Sequence, residues 1–322
     1  MEKLIYNKDL ANRFVSDYKL PIPITFVEDY FFYYLNLYEE DYHSMTNYMK
    51  LCELINEKYE SKPEKFLEDY YNVREDIIQT MLNNEAYKTF NTMDMSCFTI
   101  KNRHQVSSNN VYNCENNGKL FLSIDLKKAN FQTLKYINKD IVLNANTYED
   151  FIGKFTDLDY IKQSKYTRQV VFGKLNPKRH ITAEKFLINK VYELIDKLYS
   201  YKAVSVSNDE IVYDVTNIVN SDNRLEIKDT IKNVLGLNVS VEYYCLECYQ
   251  LLFKKTKSIS KTFFYRKSLF DHKENKLVSV PLPFYPIVYS LFKGRELTEI
   301  DYHFNYEGMD AVINEEFEIK KY

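Results

Sequence analysis

The sequence lacks any long apolar run. No window approaches the roughly 18 uncharged apolar residues of a membrane-spanning helix, and the N-terminus has no apolar segment typical of a signal peptide. The five cysteines are odd in number and scattered, which does not suit a disulfide framework and is typical of a reducing compartment. We therefore expect a soluble, cytoplasmic protein with no membrane partner.

An excess of positive charge is also missing. The formal net charge of −3 is not the basic balance of a typical nucleic-acid-binding protein. Binding to nucleic acid would need the lysines and arginines to be concentrated in one groove, because the distribution of charge matters more than its total. Local basic clusters exist, among them Lys127-Lys128 and Arg266-Lys267.

Tryptophan is absent, but 30 tyrosines and 21 phenylalanines are present. With 45% hydrophobic residues the chain can bury a core, and its 322 residues indicate about two domains. Residues 1–90 have helical spacing. A capping box is predicted from Thr25 to Glu28, and the aromatic stripe that begins at Tyr30 is expected in the core.

Two adjacent acids stand between two short stretches of strand character. Residues 203–206 and 211–215 favour extended backbone, and Asn208-Asp209 is typical of a turn. The pattern predicts a tight β-hairpin with Asp209 and Glu210 at its tip. Because adjacent carboxylates repel, a divalent cation such as Mg²⁺ is one explanation, and an ordinary acidic turn is the other.

A further acid, Asp125, ends an apolar strand that begins near Lys119. Residues 126–135 follow with the apolar spacing of a helix. One acid delivered by a strand and another delivered later by a hairpin is the arrangement with which a palm-type polymerase site holds two metal ions.

These stretches resemble motifs A and C of the family A nucleic-acid polymerases, the relatives of bacterial DNA polymerase I. Asp125 matches the metal-binding Asp of motif A, and Asn130 stands where the family has Glu. Asn208-Asp209-Glu210 corresponds to the His-Asp-Glu of motif C. Residues 182–189 resemble the helix before motif C, and residues 235–242 resemble the closing strand.

Motif B is represented by a predicted helix from residue 164 or 165 to Leu175. Arg168 lies four residues before Phe172-Gly173, where the family has Lys, and Asn176 replaces the family's Tyr. Lys165, Arg168 and Phe172 share one helix face, which can hold a triphosphate and stack on a base. A solvated basic face with one buried Phe is the alternative interpretation.

The resemblance implies an α+β fold, in which a polymerase palm combines an antiparallel sheet with packed helices. Residues 1–95 would form a helical thumb-like region, residues 96–250 the palm with reduced fingers, and residues 251–322 a small C-terminal α+β appendix. The fingers are expected to be reduced because the segment between Phe172 and Asp209 is short.

The function implied is a nucleotidyltransferase, a compact DNA polymerase that extends a nucleic-acid 3′ end. Asp125 and Asp209 would bind Mg²⁺ or Mn²⁺, with support from Glu210. Lys165, Arg168, Phe172 and Asn130 would contact the nucleotide. The partners would be a primer-template and nucleoside triphosphates, with a protein partner possible through residues 251–322. An RNA product and template-independent activity stay open.

The alternative is a catalytically degenerate palm that serves as a nucleic-acid or protein binding and assembly module. The negative net charge, the reduced fingers and the missing motif B Tyr favour this alternative. The two acids at 125 and 209 oppose it, because clustered acids are costly to keep without a cation.

Overall fold

The computed structural model of the chain describes residues 4–100, 106–108, 111–199, 201–218, 222–255, 258–270 and 275–322. Its helices are α1 Lys8–Tyr18, α2 Glu28–Leu37, α3 Glu39–Tyr42, α4 Ser44–Lys58, α5 Pro63–Asn83, α6 Glu85–Thr92, α7 Ala129–Ile137, α8 Tyr148–Ile152, α9 Asp159–Gln163, α10 Lys165–Lys174, α11 Pro177–Tyr199, α12 Arg224–Leu235 and α13 Tyr285–Phe292. Its strands are β1 Leu120–Leu126, β2 Lys202–Val206, β3 Glu210–Asp214, β4 Val239–Lys255, β5 Ser258–Leu269, β6 Asn275–Val278, β7 His303–Tyr306, β8 Met309–Val312 and β9 Phe317–Lys321.

One antiparallel sheet organises the molecule. Its strands lie in the order β2-β3-β1-β4-β5-β6, and β9 pairs with β4. The expected α+β class and antiparallel sheet are therefore confirmed, as are the predicted strand that carries Asp125 and the hairpin of β2 and β3. Among the described residues, no helix is long and apolar enough to span a membrane.

The division into three regions stays a prediction, but the sheet runs across one of its boundaries. Strand β4 continues through residue 250, and β5, β6 and β9, all beyond that residue, belong to the same sheet. A single apolar core also joins the helices of residues 1–95 to α7–α11 and α13. Residues 251–322 thus build part of the sheet that carries the acids.

The two faces of the sheet have different neighbours because side chains alternate along each strand. Leu122 and Ile124 of β1 belong to an apolar cluster with Leu187 of α11 and Ile231 of α12. The opposite face carries the intervening residues of β1, including Asp125. Helices α11 and α12 therefore pack on the face of β1 opposite to Asp125.

The N-terminal helices follow the predicted pattern, with one correction. Tyr34 of the aromatic stripe is fully buried, and its hydroxyl donates to the carbonyl of Ile300 at 2.6 Å. The capping box predicted at Thr25 is wrong. Helix α2 begins at Glu28 after Val27, without a side-chain cap, because the Thr25 hydroxyl donates to the side chain of Asn12 instead.

A buried polar cluster fixes α10 to the N-terminal helices. Asp17 of α1 accepts hydrogen bonds from Tyr70 at 2.7 Å, Tyr160 at 2.8 Å and Ser164 at 2.7 Å. Arg13 lies 3.4 Å from the same carboxylate. Since Ser164 also caps the N-terminus of α10, this cluster sets the position of the helix that carries Lys165 and Arg168.

Replacing Asp17 by alanine is expected to lower the free energy of unfolding by about 3–5 kcal/mol, because Arg13 would stay buried without its carboxylate. Chemical denaturation measures this loss. An Asp9→Ala variant, exposed in the first turn of the same helix, is the control and should lose less than about 1 kcal/mol. Equal losses in the two variants would contradict the anchoring role of the cluster.

Candidate acidic site

Strand pairing brings the predicted acids together at one end of β1. Asp125 lies directly opposite Glu210 of β3, and directly opposed residues of antiparallel strands point to the same face. The hairpin tip is held against this end of β1, since the amide of Leu126 donates to the carbonyl of Asp209 at 2.8 Å. On the other side of β1, Glu242 of β4 shares the face because it pairs with Ser123.

The turn that carries Asp209 is ordered by Ser207. The Ser207 hydroxyl accepts from the amide of Glu210 at 2.9 Å and lies 3.0 Å from the Asp209 carboxylate. The Ser123 hydroxyl donates to the Glu210 carboxylate at 2.5 Å. Asp209 stays exposed at the tip, while Glu210 is held against the sheet.

Asp125 has a perturbed pKa. Burial, with smaller contributions from the charges of Asp209, Glu210 and Glu242, raises its pKa to about 7, while the charge of Lys165 acts in the opposite direction. Near neutral pH and without a bound cation, this carboxyl is therefore partly protonated. The charge of Lys165 thus acts on Asp125, while the role predicted for the α10 face stays a prediction.

Glu184 is a functional candidate that the sequence did not indicate as such. It is a buried acid on α11, and burial together with the charge of Asp209 raises its pKa to about 7. The amide of Asn130 donates to it at 2.6 Å. Asn130, predicted to lie under a sugar, thus has its side chain engaged with Glu184. The signal in the sequence that could have indicated Glu184 is its position as an acid within the amphipathic helix just before the hairpin.

Lys267 of β5 supplies a cation to the acidic face. Lys267 pairs with Leu246 of β4 and so lies on the same face of the sheet as Glu242. Burial lowers its pKa, and the charges of Glu210, Glu242 and Asp125 oppose that change. Its ammonium group lies 4.0 Å from the ring centroid of Tyr244. The acids therefore have a resident positive charge, which the sequence presented only as part of a basic cluster.

The predicted nucleotide-binding face of α10 is divided. Lys165 is exposed, and the Arg168 guanidinium lies 5.8 Å from the ring centroid of Tyr148. Phe172, in contrast, is 2% exposed within the core, near Tyr148 and His180. A role for its ring against a base does not agree with this burial, because Phe172 belongs to the apolar stripe that seats α10.

A third cation joins the two on α10. Lys19 follows α1, and the charges of Lys165 and Arg168 contribute, after burial, to a lowered pKa of Lys19. Three positive side chains therefore act on one another, and one of them, Lys165, also acts on Asp125. This juxtaposition of a basic cluster with carboxylates suits a ligand that carries phosphate and a divalent cation.

The donor chemistry of the site is that of a hard cation. Within the described ranges no group of three or more His, Cys, Asp or Glu side chains is arranged to hold a metal ion. Mg²⁺ often needs only one or two carboxylates, with water and substrate phosphate completing its coordination. Asp125 and Asp209 thus remain the residues that would hold such an ion.

No protein-family model, curated protein or solved structure matches this chain. The likeness to family A polymerases accordingly rests on the quoted sequence stretches, in the order in which they occur.

Without divalent cations, Asp125 and Glu184 are expected to lower the melting temperature as the pH rises from about 4 to about 8, against the opposite contribution of His180, whose pKa burial lowers to about 4. The sign follows from the pKa of about 7 of Asp125 and Glu184. Both lie above the usual value of roughly 4 in an unfolded chain, so the folded state binds the proton more tightly and loses this advantage as the groups ionise.

The Asp125→Asn variant should show a shallower decline and, at pH 8, a melting temperature at or above that of the parent. Asp76→Asn, at an exposed position of α5, is the control and should follow the parent curve. Thermal unfolding in EDTA across the pH range is the measurement. Parallel curves for parent and Asp125→Asn would show that Asp125 has an ordinary pKa.

Proposed function

We propose that this chain is a compact nucleotidyltransferase of the family A polymerase type, which adds nucleotides to a nucleic-acid 3′ end. The observation that carries the proposal is the meeting of Asp125 with the Asp209 hairpin beside Lys165. Carboxylates delivered by a strand end and a hairpin tip, faced by cations on a helix, suit the transfer of a phosphoryl group.

Each part of the site has a role in this proposal. Asp125 and Asp209 would hold divalent ions, which supply positive charge to the attacking and leaving oxygens of the transfer. Glu210, fixed by Ser123, would keep the negative potential that attracts those ions. Lys165 and Arg168 would bind and orient the triphosphate through charge-assisted hydrogen bonds.

The base has no aromatic platform from Phe172, because that ring lies in the core. Between Phe172 and the hairpin tip the structure has α11 and β2, with no further helix among the described residues. Selection of the base would therefore depend on pairing with a template. Because the Asn130 side chain is engaged with Glu184, it would not restrict the product to one sugar type.

A binding and assembly module is the second candidate, and Lys267 favours it. A lysine ammonium facing Glu210, Glu242 and Asp125 offsets part of their repulsion without any metal. In this candidate the acids and Lys267 form a structural charge network, and the chain binds nucleic acid or protein without chemistry. The net charge of −3 agrees with it.

Replacing Asp209 by asparagine is expected to reduce primer extension by about 100-fold or more, because the amide keeps the size of the side chain but loses the charge that holds the cation. Extension of a labelled primer-template with Mg²⁺ or Mn²⁺ is the measurement. The melting temperature without metal should be unchanged or slightly raised, since one of several repelling acids is removed.

Asp214→Asn, at the other end of β3, is the matched control and should retain activity. An Asp209→Asn protein that extends primers as fast as the parent would remove Asp209 from the catalytic residues. A parent with no incorporation under any of these conditions would favour the binding module.

The Arg168→Ala variant is expected to bind nucleoside triphosphate about 10- to 100-fold more weakly, as follows from the roughly 1.5–3 kcal/mol of a charge-assisted hydrogen bond. Equilibrium binding of a fluorescent nucleotide with Mg²⁺ measures the change. Lys174→Ala, at the C-terminus of the same helix, should leave affinity unaltered. An unchanged dissociation constant for Arg168→Ala would separate α10 from the site.

A further inference from the structure

A groove lined by lysines lies between α7 and α12, next to the acidic site but on other residues. It has a volume of about 610 Å³, within the range of roughly 300–1,000 Å³ that ligand sites occupy. Two acids, Glu149 and Asp229, are outnumbered by the lysines of its wall. These six lysines are Lys127, Lys128, Lys135, Lys139, Lys228 and Lys232.

Most of this positive charge is not neutralised within the protein. Lys128 is paired with Glu149, and Lys135 donates to the carbonyl of Asn146 at 2.6 Å. In the part of the chain that the structure describes, the other four lysines form no ion pair. A net negative chain that gathers lysines in one groove has the charge distribution that a polyanion requires.

The floor of the groove is rigid. The Gln132 side chain accepts from the amide of Asn238 at 2.7 Å and donates to the carbonyl of Asn238 at 2.7 Å. The amide of Lys127 donates to the same carbonyl at 3.0 Å. Gly236, with a φ of 70°, ends α12 and turns the chain toward β4. The lysines thus project from a fixed frame.

An aromatic ring completes the lining. Tyr136 of α7 is 46% exposed and lines the groove together with Lys135 and Lys139. An exposed ring within a basic groove is the combination that binds single-stranded nucleic acid, because unpaired bases stack on the ring while lysines contact the phosphates. The stacked bases of a duplex do not offer their faces in this way.

One wall of the groove lies near α10. The Lys128 ammonium lies 5.5 Å from the ring centroid of Tyr148, and the Arg168 guanidinium lies 5.8 Å from the same centroid. Lys165, on the helix of Arg168, acts on the charge of Asp125. The groove wall at Lys128 and the basic side chain of Arg168 therefore pack on the same ring.

We propose that the groove between α7 and α12 binds single-stranded nucleic acid, through phosphate contacts with its lysines and base stacking on Tyr136. The binding goes beyond the proposed nucleotidyl transfer and does not require it. The strand held there would lie outside the acidic site.

Binding of a fluorescent dT20 oligonucleotide, measured by anisotropy in EDTA without nucleotides, tests the proposal. The triple variant Lys127→Gln, Lys139→Gln and Lys232→Gln should bind at least tenfold more weakly. Its slope of log affinity against log salt should also be shallower by about 2, since each phosphate contact to a single strand contributes roughly 0.7. Tyr136→Ala should lose about tenfold, as expected for one stacked base.

The matched control is Lys50→Gln, Lys58→Gln and Lys197→Gln, which removes the same charge from exposed positions of α4 and α11. Equal weakening by both triple variants would overturn the proposal, as would parent protein that does not bind dT20. A duplex of the same length bound as tightly as dT20, with no effect of Tyr136→Ala, would also overturn it by showing a general polyanion surface.

The Asp209→Asn variant separates this proposal from that of the acidic site. It should bind dT20 as the parent does, since Asp209 does not line the groove. Loss of primer extension together with retained binding supports both proposals. Retained binding by a parent that never extends a primer supports the groove alone.

Discussion

Repulsion between carboxylates at one end of the sheet is the constraint on which the rest of this structure depends. Asp125, Glu210 and Glu242 share a face of three neighbouring strands, and Asp209 adds its charge at the hairpin tip. Half-buried charges repel more strongly than charges in water, because the effective dielectric constant is lower. The fold relieves this repulsion by protonation of Asp125 and by a lysine, Lys267, on a strand that follows in the sequence.

This constraint explains why distant parts of the chain meet. The acids come from β1, β3 and β4. Lys267, which faces them, comes from β5, and Lys165 and Arg168 come from α10. Helix α10 is in turn held by the buried cluster around Asp17 of α1. The N-terminal helices therefore help to determine where Lys165 and Arg168 lie.

Local elements of this arrangement could be predicted from the sequence. The strand before Asp125, the hairpin around Asp209 and the helix of Arg168 each have a local pattern of apolar spacing and turn residues, and the structure confirms them. The partners across the fold could not be predicted in this way. Lys267 faces the acids only because of the register of β5 on β4, and Glu184 meets Asn130 only because α11 lies on α7. Phe172 shows a limit of the local pattern. Helical spacing predicts that it shares a face of α10 with Lys165 and Arg168, but it does not predict which residues of that face are buried.

The resident lysine also relates the two proposed functions to each other. A divalent ion between Asp125 and Asp209 would lower the pKa of Asp125 and, by repulsion, that of Lys267, whose pKa burial already lowers. Ion binding would then release a proton from Asp125, and by linkage a lower pH would weaken binding of the ion. If Lys267 keeps its proton when the ion enters, the two cations compete for the same carboxylates and the charge network is structural. If Lys267 releases its proton, it offsets the repulsion among the acids only until an ion binds, and this behaviour suits a catalytic site.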